Sequence, residues 1–176
     1  FGGGRAMLRL GYARVRPGTS EDQVSADYPV LLDHYARDID RHTRLYPGAE
    51  AALHRLLGAG YRIGVCTNKP TGLAEDLVTR LGVRDLFASF IGAGSLPVSK
   101  PDPAPFIASV EQAGGKLAGS VLIGDTVTDR DTAKAAGVPC VLVTFGPTGR
   151  DVEALQPDTL LDHFDNLGDV VARLIG

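Results

Sequence analysis

The sequence predicts an α/β fold: a doubly wound parallel sheet with a small helical unit ahead of it. Two observations carry this prediction. From Tyr46 onward, short apolar runs of strand length alternate with segments whose apolar residues recur every three or four positions. Such alternation implies parallel strands with helices covering both faces. Before Tyr46 there is no strand-like run, and the apolar residues follow a helical period alone. The chain therefore reads as a helical segment over residues 1–44 and an α/β core over residues 45–176. Its 176 residues suit one compact domain or a domain with a small insertion.

The elements follow in order. Thr19 or Ser20 is placed to cap a helix entering Glu21-Asp22, because a hydroxyl accepts an orphan backbone N–H and acids suit the positive helix end. Val24, Tyr28, Leu31, Leu32, Tyr35 and Ile39 then form one apolar stripe, and the helix is expected to fade between His42 and Leu45. Pro47 starts the next helix, which runs through Leu53, Leu56 and Leu57 until Gly60 stops it. A strand is expected over 61–66, a helix over 71–81 closed by Gly82, and a brief strand over 88–91. A helix over 103–113 ends at Gly114-Gly115. A strand over 120–123, a helix over 128–136 and a strand over 138–144 follow, then a short strand at Leu160-Leu161 and a last helix over 167–175.

Composition narrows the function classes. Hydrophobic residues make up 44% and charged residues 22%, which allows a buried core and argues against disorder. The net charge is -3 and no Lys/Arg-rich run exists, so the basic face that a nucleic-acid partner needs is not there. No apolar run approaches the roughly 18 residues of a membrane span. Phe1-Gly2-Gly3-Gly4-Arg5 has no apolar stretch behind a basic start and does not read as a signal peptide. Cys66 and Cys140 each sit in an apolar run and read as buried free thiols, with the cytoplasm as the expected location. His34, His42, His54 and His163 lack metal-binding spacing and are expected at the surface or its boundary.

In open parallel sheets ligands bind beyond the carboxyl ends of the strands. Three such ends stand out. After the first strand come Thr67 and Asn68, a hydroxyl and an amide leading into a helix; they suit an anion, and equally a helix cap. Between a strand region and a Pro-started helix lies Lys100, flanked by Pro101 and Pro103. It is either a phosphate partner or a solvated lysine, and the stiff prolines favour a positioned one. The third end reads Gly124-Asp125, with Asp129 four residues on. Two carboxylates at one strand end suit Mg²⁺, which takes one or two of them together with phosphate oxygens and water. The alternative is that Asp129 caps the helix that follows. Taken together, a hydroxyl, a lysine and two acids place an anion site beside a cation site, as phosphoryl transfer requires.

The order and wording of these motifs resemble the haloacid dehalogenase-like hydrolase superfamily, and within it the phosphoglycolate phosphatase-like branch. The resemblance runs from Gly2-Gly3-Gly4 and Tyr46-Pro47-Gly48 through Thr67-Asn68-Lys69-Pro70, Lys100-Pro101-x-Pro103 and Gly124-Asp125 to Ala135-Ala136-Gly137. It implies a Rossmann-like core with residues 1–44 as part of a helical cap that selects the substrate. It implies that Thr67 holds the transferring phosphoryl group, that Asn68 helps order that site and binds substrate, and that Lys100 neutralises nucleophile and phosphate. Asp125 would bind Mg²⁺, and Asp129 would hold the metal site through water or hydrogen bonds. The implied activity is Mg²⁺-dependent hydrolysis of a small phosphorylated substrate, 2-phosphoglycolate first, by a monomer or homodimer. A sugar-phosphate phosphatase, a β-phosphoglucomutase, a pyrophosphatase and a non-catalytic phosphate-binding or regulatory protein are the alternatives.

One departure is large. The family carries an Asp-x-Asp segment on a central strand, whose first Asp becomes phosphorylated. Asp38-Ile39-Asp40 has that spacing but lies in a helical pattern, where residues two apart do not point the same way. The expectation is that the nucleophile lies outside these 176 residues and that they do not turn over alone. A sheet lacking its central strand would expose unpaired backbone on both sides of the gap.

Overall fold

The computed structural model describes residues 3–176, so Gly2 of the glycine run lies outside the described residues. The chain divides into two compact units at Arg44/Leu45.

The first unit holds α1 (Gly3–Val15) and α2 (Glu21–Arg37). Of the two expected caps, Ser20 is the one used: its hydroxyl accepts the Gln23 N–H at 3.3 Å. The helix α2 stops several residues short of the expected fade, and residues 38–43 turn through Arg41 N–H to Asp38 O and Thr43 N–H to Asp40 O. Asp38 and Asp40 are poor at a negative helix end and favour turns, which shortens the helix. Val24 and Ile39 are both 1% exposed, the second from beyond the helix end. Gly4 admits the Tyr28 ring, since a Cβ there would lie 2.9 Å from Tyr28 Cε2. Arg5 stacks on that ring at 4.6 Å and donates to Ser25 Oγ. No residue of α1 is buried, and a groove of about 400 Å³ lined by Met7, Leu8, Gly11, Tyr12, Val15 and Leu31 stays open.

The second unit runs α3 (Ala49–Gly58), β1 (Gly64–Pro70), α4 (Thr71–Arg80), β2 (Ser89–Ala93), α5 (Ala104–Gln112), β3 (Leu122–Gly124), α6 (Val127–Ala136), β4 (Cys140–Val143), β5 (Thr159–Leu161) and α7 (Leu167–Ile175). Short 3-10 turns, which the periodicity did not indicate, join several of them. All pairings are parallel, as the alternation requires. The strands nevertheless form two sheets rather than one: β1-β2 and β3-β4-β5.

The two sheets share their covering layers. On one face α3 and α7 pack Ala52, Leu56, Val170 and Val171 against Val141, Val143 and Leu161, with Ile63 just ahead of β1 joining the same cluster. On the other face Phe106 of α5 and Ala133 of α6 pack against Leu122, Cys140 and Leu142, and Cys66 of β1 joins that cluster. Among the described residues, neither β1 nor β3 has a strand on its second edge. Ile123 of β3 is 37% exposed while its neighbour Leu122 is 4% exposed.

Both cysteines are free thiols, and burial pushes them up, Cys140 to about 12. All four histidines are exposed. No helix among the described residues is long and apolar enough to cross a membrane.

Candidate active site

The site gathers at the carboxyl ends of β1 and β3 and in the loop that carries Lys100. The Lys100 ammonium donates to Asp129 Oδ1 at 2.6 Å, and the two side chains are only 10% and 7% exposed. Asp129 Oδ2 accepts three further bonds, from the N–H of Asp125 at 3.2 Å, the N–H of Thr126 at 3.1 Å and the Thr126 hydroxyl at 2.8 Å. Burial alone would raise this carboxyl, but the Lys100 charge and these hydrogen bonds outweigh it and hold its pKa below the usual range. Of the readings of Asp129 from the sequence, the helix cap is realised, since it closes the start of α6 onto Thr126; the buried ion pair with Lys100 was not anticipated.

Gly124 makes this possible. A Cβ at that position would fall 2.3 Å from Asp129 Cγ, so only glycine leaves room for the carboxylate to turn back under the strand end. Asp129 occupies the space that a side chain at position 124 would need.

Asp125 behaves differently. It is partly buried at the end of β3, and its side chain lies near Gly146, just past β4. Burial first, then the Asp129 charge, push its carboxyl above the usual range, with Lys100 pulling the other way. Its carboxylate is thus a half-desolvated anion beside an already neutralised pair, a favourable place for a further cation.

Thr67 and Asn68 do not follow a finished strand: β1 starts later than expected and runs through them to Pro70, with an irregular register after Cys66. Nor do they cap the next helix, which begins at Thr71 behind Pro70. Thr67 Oγ1 accepts the Lys69 N–H at 3.1 Å, which leaves its own hydrogen to donate outward. Asn68 is turned toward the loop: Nδ2 donates to Lys100 O at 2.8 Å and Oδ1 accepts the Lys100 N–H at 3.0 Å. The structure therefore links Asn68 to Lys100, Lys100 to Asp129 and, through its N–H, Asp125 to Asp129, with Thr67 adjacent to Asn68 in sequence.

Thr126 was missed by the sequence reading, although Thr126-x-x-Asp129 carries the spacing of a helix-start box. Asp38 caps the end of α2 and Asp40 lies in the turn beyond it, so the Asp38-Ile39-Asp40 spacing follows no strand. Asp125 and Asp129 belong to no group of three His, Cys, Asp or Glu among the described residues. Hard oxygen donors in that number suit Mg²⁺, and since four donors already fill Asp129, Asp125 is the one fitted to touch the ion.

Comparison with known proteins identifies the family. Residues 12–143 match the family described as haloacid dehalogenase-like hydrolase. A phosphoglycolate phosphatase from Mesorhizobium japonicum is 36% identical over 174 residues, covering 98% of this chain and 77% of the relative. One from Rhodospirillum rubrum is 42% identical over 165 residues, covering 94% of this chain and 68% of the relative. The crystal structure of a predicted phosphoglycolate phosphatase from Haemophilus somnus superposes with a TM-score of 0.82 at 27% identity, covering 93% of this chain and 73% of that one.

Proposed function

This chain belongs to the haloacid dehalogenase-like hydrolase family, and on that premise we propose that it serves a Mg²⁺-dependent phosphomonoesterase. The substrate is a small phosphorylated metabolite, with 2-phosphoglycolate first, since the relatives of 36% and 42% identity carry that name. The observation that supports the reading most is the buried Lys100–Asp129 pair at 2.6 Å, set beside a partly buried Asp125 whose carboxyl is raised.

The residues divide the work as follows. Thr67 donates its free hydroxyl hydrogen to a phosphoryl oxygen. Lys100 stands at fixed distance from Asp129 and offers its remaining hydrogens to the phosphate and to the attacking carboxylate. Asp125 would hold Mg²⁺ directly, and Asp129 would act only through the groups it orders. When bound, the ion neutralises charge on the phosphate. The attacking group is an aspartate outside these 176 residues: its carboxylate bonds to phosphorus as the ester P–O bond breaks, and water then cleaves the aspartyl phosphate to return the carboxylate and release inorganic phosphate. The helical unit takes the part of a substrate-selecting cap.

The test is a phosphate-ester panel including 2-phosphoglycolate, run with and without Mg²⁺ on the full-length protein. Hydrolysis should require Mg²⁺ and should fall by about 10²-fold or more in Asp125→Ala and in Lys100→Ala. Activity that survives both substitutions overturns the proposal. The 176 residues alone should give no turnover.

A further inference from the structure

We infer that Asn68 is a positioning residue for Lys100: its carboxamide clasps the peptide of that lysine and so sets where the ammonium stands. The observation is the paired bond already described, Nδ2 to Lys100 O at 2.8 Å and Lys100 N–H to Oδ1 at 3.0 Å. A carboxamide is the side chain whose donor and acceptor match the N–H and C=O of one residue at once. A carboxylate could take only the N–H, a serine is too short to span both, and glutamine sets the same group one methylene too far out.

The effect reaches the chemistry through the chain of contacts. Lysine has a long flexible stem, so its ammonium is only as well placed as the two ends that fix it. Asp129 fixes the tip at 2.6 Å, and Asn68 fixes the root. The loop is otherwise held locally, through Asp102 N–H to Ser99 O and Ala104 N–H to Asp102 Oδ1. Those bonds shape the turn but do not tie it to β1. Asn68 supplies that tie across 32 residues of sequence. Its Oδ1 and one of its amide hydrogens are thereby committed, which argues against the substrate-binding role that the family resemblance implied for it.

The kinetic consequence rests on the phosphatase reading; the structural one does not. The experiment therefore uses two readouts on the full-length protein and its Asn68→Ala, Asn68→Asp and Asn68→Gln variants. The first is the rate of reductive methylation of each lysine, followed by mass spectrometry. Lys100 should react about tenfold faster in Asn68→Ala, with Lys116 and Lys134 unchanged as internal references, and Asn68→Asp should lie between, since it keeps the bond from the Lys100 N–H. The second is steady-state hydrolysis: kcat should fall about tenfold while KM moves less than about twofold, as expected when a catalytic group is misplaced rather than a substrate contact removed. Unchanged Lys100 methylation in Asn68→Ala overturns the inference. So does a rise in KM at constant kcat, which would make Asn68 a substrate contact. Faster methylation in a protein that hydrolyses no ester would leave the clasp standing and overturn the phosphatase reading instead.

Discussion

The two units of this chain both carry surface ion pairs, but the α/β unit also holds a buried one. In the helical unit the ion pairs are surface pairs: Arg9 with Glu21 and Arg37 with Asp33, all at least half exposed. Its apolar residues Met7, Leu10 and Val15 also lie outside. In the α/β unit strand β4 is buried along its whole length, and the pair that matters, Lys100 with Asp129, is buried too. The difference teaches where to look for function. An exposed pair sheds little free energy when broken and can sit anywhere, whereas a buried pair is tolerated only where surrounding groups complete it. Here those surrounding groups are the strand ends of the candidate site.

Substitutions can break or sharpen that contrast. The largest effect should come from Asp129→Ala, which strands a buried ammonium and orphans three other donors; a loss of about 3–5 kcal/mol in urea unfolding is expected. Leu142→Ala should follow at about 2–5 kcal/mol, because that side chain is fully enclosed between α5, α6 and the strand neighbours. If either proves neutral, the α/β unit is not the firm half of the molecule.

Asp125→Asn sharpens the contrast inside the α/β unit, and its sign is opposite. The folded state raises the Asp125 pKa, so the stability tied to its proton is present below the unfolded carboxylate pKa and is lost as pH rises through the folded value. Near neutral pH without metal, the asparagine variant should melt about 1–3 °C higher, and the gain should vanish in acid. Asp129 titrates the other way: its pKa is lowered, so its contribution is present above the unfolded pKa and is lost as pH falls through the folded one. The smallest change is expected in α1, where Leu10→Gln should shift stability by no more than about 0.5 kcal/mol.

Much of this was legible in the sequence, for reasons that differ by element. The expected span of α7 coincides with Leu167–Ile175, because its amphipathic period is complete and a glycine closes it. The start of β1 was set three residues early: Tyr61 and Ile63 are apolar, but backbone pairing with β2 begins at Gly64. Alternation announces parallel strands but carries no strand order; it was the missing Asp-x-Asp strand that pointed to a gap, and the strands do form two sheets. In the site, Lys100, Asp125 and Asp129 announce themselves by residue type and by their place after strands. The clasp of Asn68 does not, since its partner is the backbone of a residue 32 positions away and a backbone acceptor leaves no mark in sequence.

The contact under Gly124 has an evolutionary consequence. Every residue other than glycine adds the carbon that would fall 2.3 Å from Asp129 Cγ, so no amino-acid replacement at this position is a small step. Drift can exchange the covering apolar residues for others of like volume, but lineages that keep Asp129 in place have no neutral path through position 124. Among descendants of this sequence, that glycine and that aspartate should be kept together or lost together.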